Sequence, residues 1–269
     1  MNNNQILTGS TVIALVLGLP AIAAAEDHEI PFEEAHVFFE LNHTDGDLGI
    51  HALVDGDAWK RLAISDHNDN VIMNVIVRGQ LRQQGLTEVF FESDEPSFDD
   101  LPPRKFFSRF PAGIYEIEGL TLDGDELESE TEVTHVMPAP AEPTVNALPM
   151  AEQCDEEEPG YDAPTLTSPV TIAWPEVDHT HPDLGSPRNS TNIKIFNYEV
   201  VVEAEVEGLN GEEFTSKFSA LLPPDVTSMT IPEEFLAQSD TFKYEVLARE
   251  ESFNQTAVES CFLLADNGP

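Results

Sequence analysis

Residues 114–136 read IYEIEGLTLDGDELESETEVTHV, and this stretch decides the fold class. Two β-rich runs, 114–122 and 127–136, flank the tripeptide Asp123-Gly124-Asp125. An Asp-Gly pair between such runs is a strong β-hairpin signal, because the residues of that turn need a positive φ. The stretch therefore predicts two antiparallel strands joined by a tight turn.

The residues before this hairpin carry the same kind of pattern. A second hairpin is predicted at Asp55-Gly56-Asp57, between runs at 48–54 and 58–64. Residues 102–110 (PPRKFFSRF) predict a short helix, since its prolines stand at the start, where a missing N–H costs little. Many short strands with frequent turns predict a β-sandwich over 30–137, with further strands at 37–41, 71–77 and 87–91.

A break in this pattern runs from residue 137 to residue 169. It carries seven prolines and the acidic run Asp155–Glu158. Prolines at this density remove the backbone donors that helices and central strands need. We therefore place an extended, Pro- and acid-rich linker at 138–160, between a first domain at 30–137 and a second domain at 161–265.

The second domain also has the pattern of an all-β unit. In its first run, 169–174, Val170, Ile172 and Trp174 alternate so that all three face inward. The fold class expected for the whole chain is thus all-β, with two β-sandwich domains. The remaining strands are expected at 163–166, 197–206, 214–222, 226–231, 242–248 and 257–264.

Three features of 161–265 resemble a fibronectin type III domain, an immunoglobulin-like sandwich. They are Trp174 after its alternating apolar positions, the run Tyr198–Val200, and the run Tyr244–Ala248. The resemblance implies that Trp174 and Tyr198 are core residues and that Tyr244 is the tyrosine of a later hallmark strand. Such sandwiches mostly serve as spacers or binding modules, so the fold alone implies little about function.

The charge balance excludes several functions. The chain has 12 Lys plus Arg against 51 Asp plus Glu, a formal net charge of −39. Nucleic acids and anionic lipids are bound through clustered Lys and Arg, so neither is expected as a partner. Disorder is not expected either, because 41% of the residues are hydrophobic and 16 are Phe.

Residues 1–25 are expected to be a signal peptide. The apolar run VIALVLGL at 12–19 is followed by Pro20 and by small residues at 23–25, where a signal peptidase would cleave. The run is too short to stay in a bilayer as a spanning helix. The sequence thus predicts a periplasmic or secreted protein without a stable membrane anchor.

Cys154 and Cys261 are the chain's two cysteines. In an exported protein such a pair most often forms a disulfide, which is the bond we expect here. The alternative is two unpaired, buried thiols. Neither is expected to be a nucleophile, since the four acidic residues after Cys154 disfavour a thiolate.

Two groups of residues could bind a metal ion. Asn42, Thr44, Asp45 and Asp47 offer oxygen atoms at close spacing, which is typical of a Ca²⁺ site. The alternative is that the three Asp-Gly-Asp tripeptides, at 45–47, 55–57 and 123–125, form turns.

His179 and His181 form the second group. On an extended segment both rings would face one side and could bind Zn²⁺ or Cu²⁺. The alternative is a solvated loop. His43 and His51 are expected to be surface groups.

Motifs of known enzymes do not identify a reaction: the sequence lacks the G-x-S-x-G, H-E-x-x-H and P-loop patterns. We therefore expect a non-catalytic binding or structural module, with a protein or glycan as partner. The alternatives are a secreted hydrolase that acts on polysaccharides through carboxylates of the first domain, and a periplasmic metal-binding protein. Phe106, Phe107 and Phe110 could form a contact face for a partner or pack under the sandwich.

We expect NaCl to raise the melting temperature. Folding brings the carboxylates of a chain with net charge −39 closer together, and salt screens their repulsion. The screening length falls from about 10 Å at about 0.1 M to about 3 Å at about 1 M. Thermal unfolding at both salt concentrations measures the effect. An unchanged melting temperature would show that repulsion does not limit stability.

Overall fold

The computed structural model of the protein describes residues 29–265. The predicted signal peptide, 1–25, lies outside this range. Strands dominate the described part, as the sequence predicts, and its helices are three short ones. None of them has the length and apolar character needed to cross a bilayer.

The first half of the chain supplies six strands and two helices. Its hairpin at Asp123-Gly124-Asp125 is confirmed, with Gly124 at a φ of +102°. The predicted helix at 102–110 is also present. The elements are β1 (Glu34–Asn42), β2 (Asp47–Ser65), β3 (Val71–Ile76), α1 (Leu81–Gln84), β4 (Leu86–Glu92), α2 (Pro103–Arg109), β5 (Gly113–Thr121) and β6 (Glu126–Val133).

The hairpin predicted at Asp55-Gly56-Asp57 is wrong. β2 runs through this tripeptide without a turn, and its pairing with β4 shifts register between Asp55 and Trp59. Gly56 has another use: a Cβ here would stand 3.0 Å from the ring of Phe32, so the glycine makes room for that core side chain. An Asp-Gly pair is compatible with both a hairpin turn and a tightly packed bend within a strand. The pattern therefore predicted a turn where the strand only bends.

The bend lets β2 belong to both layers of the first sandwich. Its beginning pairs with β1 and β4, while its end pairs with β3 and β5, and β5 pairs with β6. Side chains from both groups of strands form one hydrophobic cluster, which includes Phe39, Ile50, Trp59, Tyr115 and Ile117. The core of the first sandwich therefore lies between these layers.

The second half forms two layers around a separate cluster. One layer has the order β13-β10-β7-β8, and the other has the order β12-β11-β14-β15 with β9 beside β15. The elements are β7 (Thr144–Val145), β8 (Leu148–Pro149), β9 (Thr165–Leu166), β10 (Thr171–Ala173), β11 (Ile195–Glu207), β12 (Glu213–Leu222), β13 (Ser228–Thr230), α3 (Glu233–Leu236), β14 (Thr241–Glu250) and β15 (Gln255–Leu264).

The two halves repeat one order of pairing. Three strands pair in the same order in one layer (β1-β2-β4 and β7-β10-β13), and four do so in the other (β3-β2-β5-β6 and β12-β11-β14-β15). The second half adds β8 beside β7 and β9 beside β15. In both halves a short helix precedes the third strand of the four-stranded order: α2 precedes β5, and α3 precedes β14. In each half a short segment pairs in parallel with the last strand: Ile30 with Leu127 of β6, and β9 with β15. The halves are thus two versions of one sandwich.

The residues predicted for the second core are buried there. Val170, Ile172 and Trp174 belong to the cluster, and the rings of Trp174 and Tyr198 lie 5.3 Å apart. Tyr244 is also buried, and its hydroxyl has no hydrogen-bond partner among the described residues. The resemblance of 161–265 to fibronectin type III stays a prediction.

The three phenylalanines of the 102–110 segment pack inward. Phe39 of β1 lies 5.5 Å from Phe106 and 5.6 Å from Phe107, measured between ring centroids. Phe110 lies 6.4 Å from the same ring. The packing alternative is confirmed, so these residues are part of the first core.

A single sheet joins the two halves. β1 pairs in parallel with β15, placing Glu40 opposite Gln255, Leu41 opposite Thr256 and Asn42 opposite Ala257. We call this contact the junction. The division into two separate domains is therefore not confirmed: each half has its own core, but they share backbone hydrogen bonds.

The segment predicted as a linker is part of the second sandwich. β7 and β8 lie within 138–160, and β7 pairs with β10. Ala139, Ala141 and Ala151 are buried. The backbone N–H of Ala151 donates to the Ser260 hydroxyl on β15 at 2.8 Å. The segment is extended, as its prolines predict, but it is docked on the sheet.

Asn254 holds the junction together. Its side chain is buried in the turn between β14 and β15. Oδ1 accepts the N–H of Phe39 on β1 at 2.8 Å, and Nδ2 donates to the carbonyls of Val136 at 2.9 Å and Thr134 at 3.1 Å. One amide therefore joins the last hairpin, the first strand and the chain between the halves.

We expect Asn254→Ala to lower the free energy of unfolding by about 2–4 kcal/mol, because it leaves buried backbone groups without partners. Urea denaturation followed by tryptophan fluorescence measures this, since Trp59 and Trp174 report on one half each. Asn210→Ala, at an exposed position, is the matched control. Equal stability of the two variants would contradict the role given to Asn254.

Candidate functional site: an acidic face at the junction

The junction carries a continuous polar face. Glu40 of β1 pairs with Gly49 of β2. Alternate residues of a strand share one face, so Asp47 and His51, on either side of that glycine, lie on the same face as Glu40. On the other side of the junction, β15 contributes Glu259 and β14 contributes Glu245, directly opposite each other. We call this surface the junction face, formed by Glu40, Asp47, His51, Glu245 and Glu259.

The carboxylates of this face are partly buried among like charges. Burial, together with the nearby charges of Glu40 and Glu259, raises the pKa of Glu245 to about 8. Burial also raises the pKa of Asp47 to about 6, with Glu95 as its strongest charged neighbour. The pKa values of Glu40 and Glu259 are raised mainly by burial as well. The junction face therefore favours protons or cations near its carboxylates.

Hydrogen bonds connect the two sides of the face. The Gln255 amide on β15 donates to the Glu40 carboxylate on β1. Arg249 of β14 donates from Nε to Oε1 of Gln255 at 2.7 Å, and its Nη2 lies 3.5 Å from Oε2 of Glu199. A polar network thus runs across four neighbouring strands.

The four residues predicted to bind Ca²⁺ build the turn between β1 and β2. Oδ1 of Asn42 accepts the N–H groups of Thr44 and Asp45, both at 3.1 Å, and Gly46 has a φ of +70°. The hydroxyl of Thr44 accepts the N–H of Glu259 at 2.9 Å. Oδ1 of Asn42 and the hydroxyl oxygen of Thr44 therefore already accept hydrogen bonds from the backbone.

Asp47 differs from the other three predicted ligands. Its Oδ1 is buried and has no hydrogen-bond partner among the described residues. Of the three Asp-Gly-Asp tripeptides, those at 45–47 and 123–125 form turns and the one at 55–57 does not. The structure brings the predicted Ca²⁺ residues close together, with the Asn42 oxygen bonded within the turn and the Thr44 oxygen bonded to β15.

His179 and His181 each have a different partner. His181 is buried, and its Nδ1 accepts the N–H groups of Asp183 and Leu184, both at 3.1 Å. Its Nε2 lies 3.3 Å from Nδ1 of His43, and burial lowers its pKa to about 4. Nδ1 of His179 lies 2.8 Å from Asp178. His181 therefore serves as a buried structural group of its loop.

His51 is buried with 3% exposure, so the prediction of a surface group is wrong. Its Nε2 lies 3.1 Å from Oε1 of Glu95, and its Nδ1 lies 3.8 Å from Oε2 of Glu40. The Glu95 carboxylate lies directly over Gly49, where the Cβ of any other residue would collide with it. No local pattern indicates this contact, because Glu95 follows β4 and reaches β2 only in the folded chain.

The predicted disulfide between Cys154 and Cys261 is present, with the two Cα atoms 5.8 Å apart. Cys261 lies on β15, two residues beyond Glu259. The bond therefore fixes the extended acidic segment beside the junction face.

No protein-family model and no curated protein matches the chain. Solved structures with limited similarity include a region involved in host cell surface retention of a 1.5-MDa bacterial ice-binding adhesin. It is 13% identical, with 87% of this chain and 65% of that chain covered and a TM-score of 0.20.

Two further matches are similarly distant. The BSP domain of a biofilm-associated protein is 11% identical, with 88% and 30% covered and a TM-score of 0.24. A Ca²⁺-stabilized adhesin of an Antarctic bacterium is 11% identical, with 86% and 50% covered and a TM-score of 0.20. The chain spans less than two thirds of each of these three proteins. TM-scores this low carry no argument about fold or function.

We expect Glu245→Gln to stabilise the protein at high pH. The folded-state pKa of about 8 lies above the value of about 4.3 for an unfolded chain, so the carboxyl costs stability as the pH rises between them. The variant should melt at a higher temperature than the parent near pH 8.5, and the difference should shrink towards pH 4. Melting curves across this range measure it, with the exposed Glu213→Gln as control. A difference that did not change with pH would contradict the assignment.

Proposed function

We propose that this protein is an exported, non-catalytic module that holds two β-sandwiches in one fixed arrangement and presents a binding surface at their junction. The pairing of β1 with β15 is the observation that carries the proposal. Domains joined only by a linker move relative to each other. Backbone pairing, the Asn254 amide and the docked 138–160 segment restrict that motion here.

Export is supported by two features. Disulfides persist in the periplasm and outside the cell, and one joins Cys154 to Cys261. The predicted signal peptide at 1–25 agrees with that compartment. The charge of −39 keeps such a protein soluble and makes a glycan or a protein a better partner than a nucleic acid or an anionic membrane.

We also propose that both halves are fibronectin type III-like. The shared order of strand pairing supports this for the two halves together, and the contact between Trp174 and Tyr198 supports it for the second. Sandwiches of this kind host many functions, so the proposed function depends on the surface at the junction and not on the fold.

That surface includes an aromatic stack built from both halves. Phe253 of the second half lies on His36 of β1, with ring centroids 3.8 Å apart, and 5.2 Å from Phe196, which is 52% exposed. Phe253 has a φ of +70°, a costly conformation for a bulky residue, and it persists only where the surroundings enforce it. The stack exists only while the halves are joined.

A glycan is the partner that this surface fits best. Binding sites for small molecules combine apolar and aromatic side chains with a few polar groups that fix orientation. His36 and Glu40 lie on one face of β1, and Gln255 and Arg249 follow on the next two strands. The stack thus offers flat apolar rings beside hydrogen-bonding groups.

We expect the purified protein to bind members of a polysaccharide panel without releasing reducing ends. Phe196→Ala should weaken this binding by about tenfold, the loss typical of an exposed aromatic anchor. Phe214→Ala is the matched control, since Phe214 is 51% exposed on β12. Release of reducing ends would favour the hydrolase instead. Equal binding by both variants would exclude the stack as the binding surface.

A further inference from the structure

We propose that His51, Glu92 and Glu95 form a site for a first-row divalent metal ion such as Zn²⁺. One ligand atom from each side chain lies within 4.8 Å of the other two. The site lies on the first sandwich and uses none of the residues that the sequence suggested as ligands. An imidazole nitrogen with two carboxylates is a donor set found at zinc centres.

The β-sheet fixes two of the three ligands. His51 of β2 lies directly opposite Glu92, the last residue of β4, in the antiparallel register. Paired residues project from the same face of a sheet, so their side chains are neighbours. The exposed Glu92 and the buried His51 therefore meet at the edge of the junction face.

Gly49 fixes the third ligand. It leaves the space over β2 in which the Glu95 carboxylate lies, 3.1 Å from Nε2 of His51. Any larger residue at position 49 would push this carboxylate away from the histidine. The glycine therefore has a specific consequence: it brings a carboxylate to a buried imidazole.

The surroundings of His51 also suit a metal ligand. Carboxylates face both nitrogens of its ring, Glu95 at Nε2 and Glu40 at Nδ1. With a metal ion on Nε2, the ring proton sits on Nδ1 and points towards Glu40. A carboxylate behind a ligating histidine is the usual outer partner at zinc sites.

Glu40 is itself positioned for that role. It accepts a hydrogen bond from Gln255 of β15, so the outer partner of the metal ligand is held from the other half of the chain. The site thus contacts the junction through Glu40, although its three ligands all belong to the first sandwich.

The donor set favours a transition metal over Ca²⁺. Ca²⁺ takes six to eight oxygen ligands, whereas imidazole suits Zn²⁺, Cu²⁺ and Ni²⁺. Ligands about 2.1 Å from a tetrahedral ion lie about 3.4 Å apart. Nε2 of His51 and Oε1 of Glu95, 3.1 Å apart, are already near that separation. The Glu92 oxygen lies within 4.8 Å of the other two ligand atoms, so it must move by at most about 1.4 Å. The exposed Glu92 side chain can make that movement, and water can fill the fourth position.

The experiment uses the full chain, which is freed of bound metal before the titration. Titration with ZnCl₂ in a calorimeter should show one saturable site, and Co²⁺ should give the visible absorption bands of a low-symmetry nitrogen and oxygen site. His51→Gln should abolish both signals. Glu92→Gln should weaken binding by at least about tenfold, and its exposed position leaves the fold intact.

Matched variants separate this site from other acidic or histidine groups. Glu88→Gln changes an exposed carboxylate on the same strand, and His179→Gln with His181→Gln removes the pair suggested by the sequence. All three changes should leave the affinity for Zn²⁺ within about twofold of the parent.

Several outcomes would overturn the proposal. They are the absence of saturable Zn²⁺ binding, equal binding by the parent and Glu92→Gln, and loss of binding in Glu88→Gln or in the His179 and His181 variant. Tighter binding of CaCl₂ than of ZnCl₂ would also overturn it. Glycan binding through Phe196 is measured separately, so either proposal can fail without the other.

Discussion

The parallel pairing of β1 with β15 is the contact on which the rest of the structure depends. It spans three residue pairs and is completed by the buried Asn254 amide. β1 is the first strand of the described residues and β15 is the last, so this contact joins residues that lie 215 positions apart in the sequence, such as Glu40 and Gln255. The continuity of the junction face, the aromatic stack and the hydrogen bond from Gln255 to Glu40 all follow from it.

Local patterns were enough to predict most of the strands. Alternating apolar residues and Gly-containing turns are read over a few positions, and they placed elements such as β5, β11 and β14 within a few residues of their observed ends. The same local information failed at Asp55–Asp57, where a tertiary contact with Phe32 converts a turn signal into a bend. It also missed β7 and β8, whose two-residue pairings are too short to give a pattern.

The candidate site was predicted only in part, for a physical reason. The sequence indicated Asn42, Thr44, Asp45 and Asp47 because these oxygens are close along the chain. Their partner Glu259 lies more than 200 residues away, and Glu95 reaches His51 only through the loop after β4. Burial of His51 and the role of Asn254 depend on the same long-range contacts. Such partners leave no mark on local spacing.

The carboxylates crowded at the junction lower the stability of the folded protein. A contact that served only to join the halves would avoid this cost. Partly buried like charges repel, and apolar side chains of similar size would pack there without that penalty. Glu40 belongs to the first half and Glu245 to the second, so the repulsion between these two exists only when the halves are joined. A cation held among them must bind the joined form more tightly than the separated one, and by linkage it must then stabilise the junction. The acidity of this face thus makes the rigidity of the module depend on the ions around it.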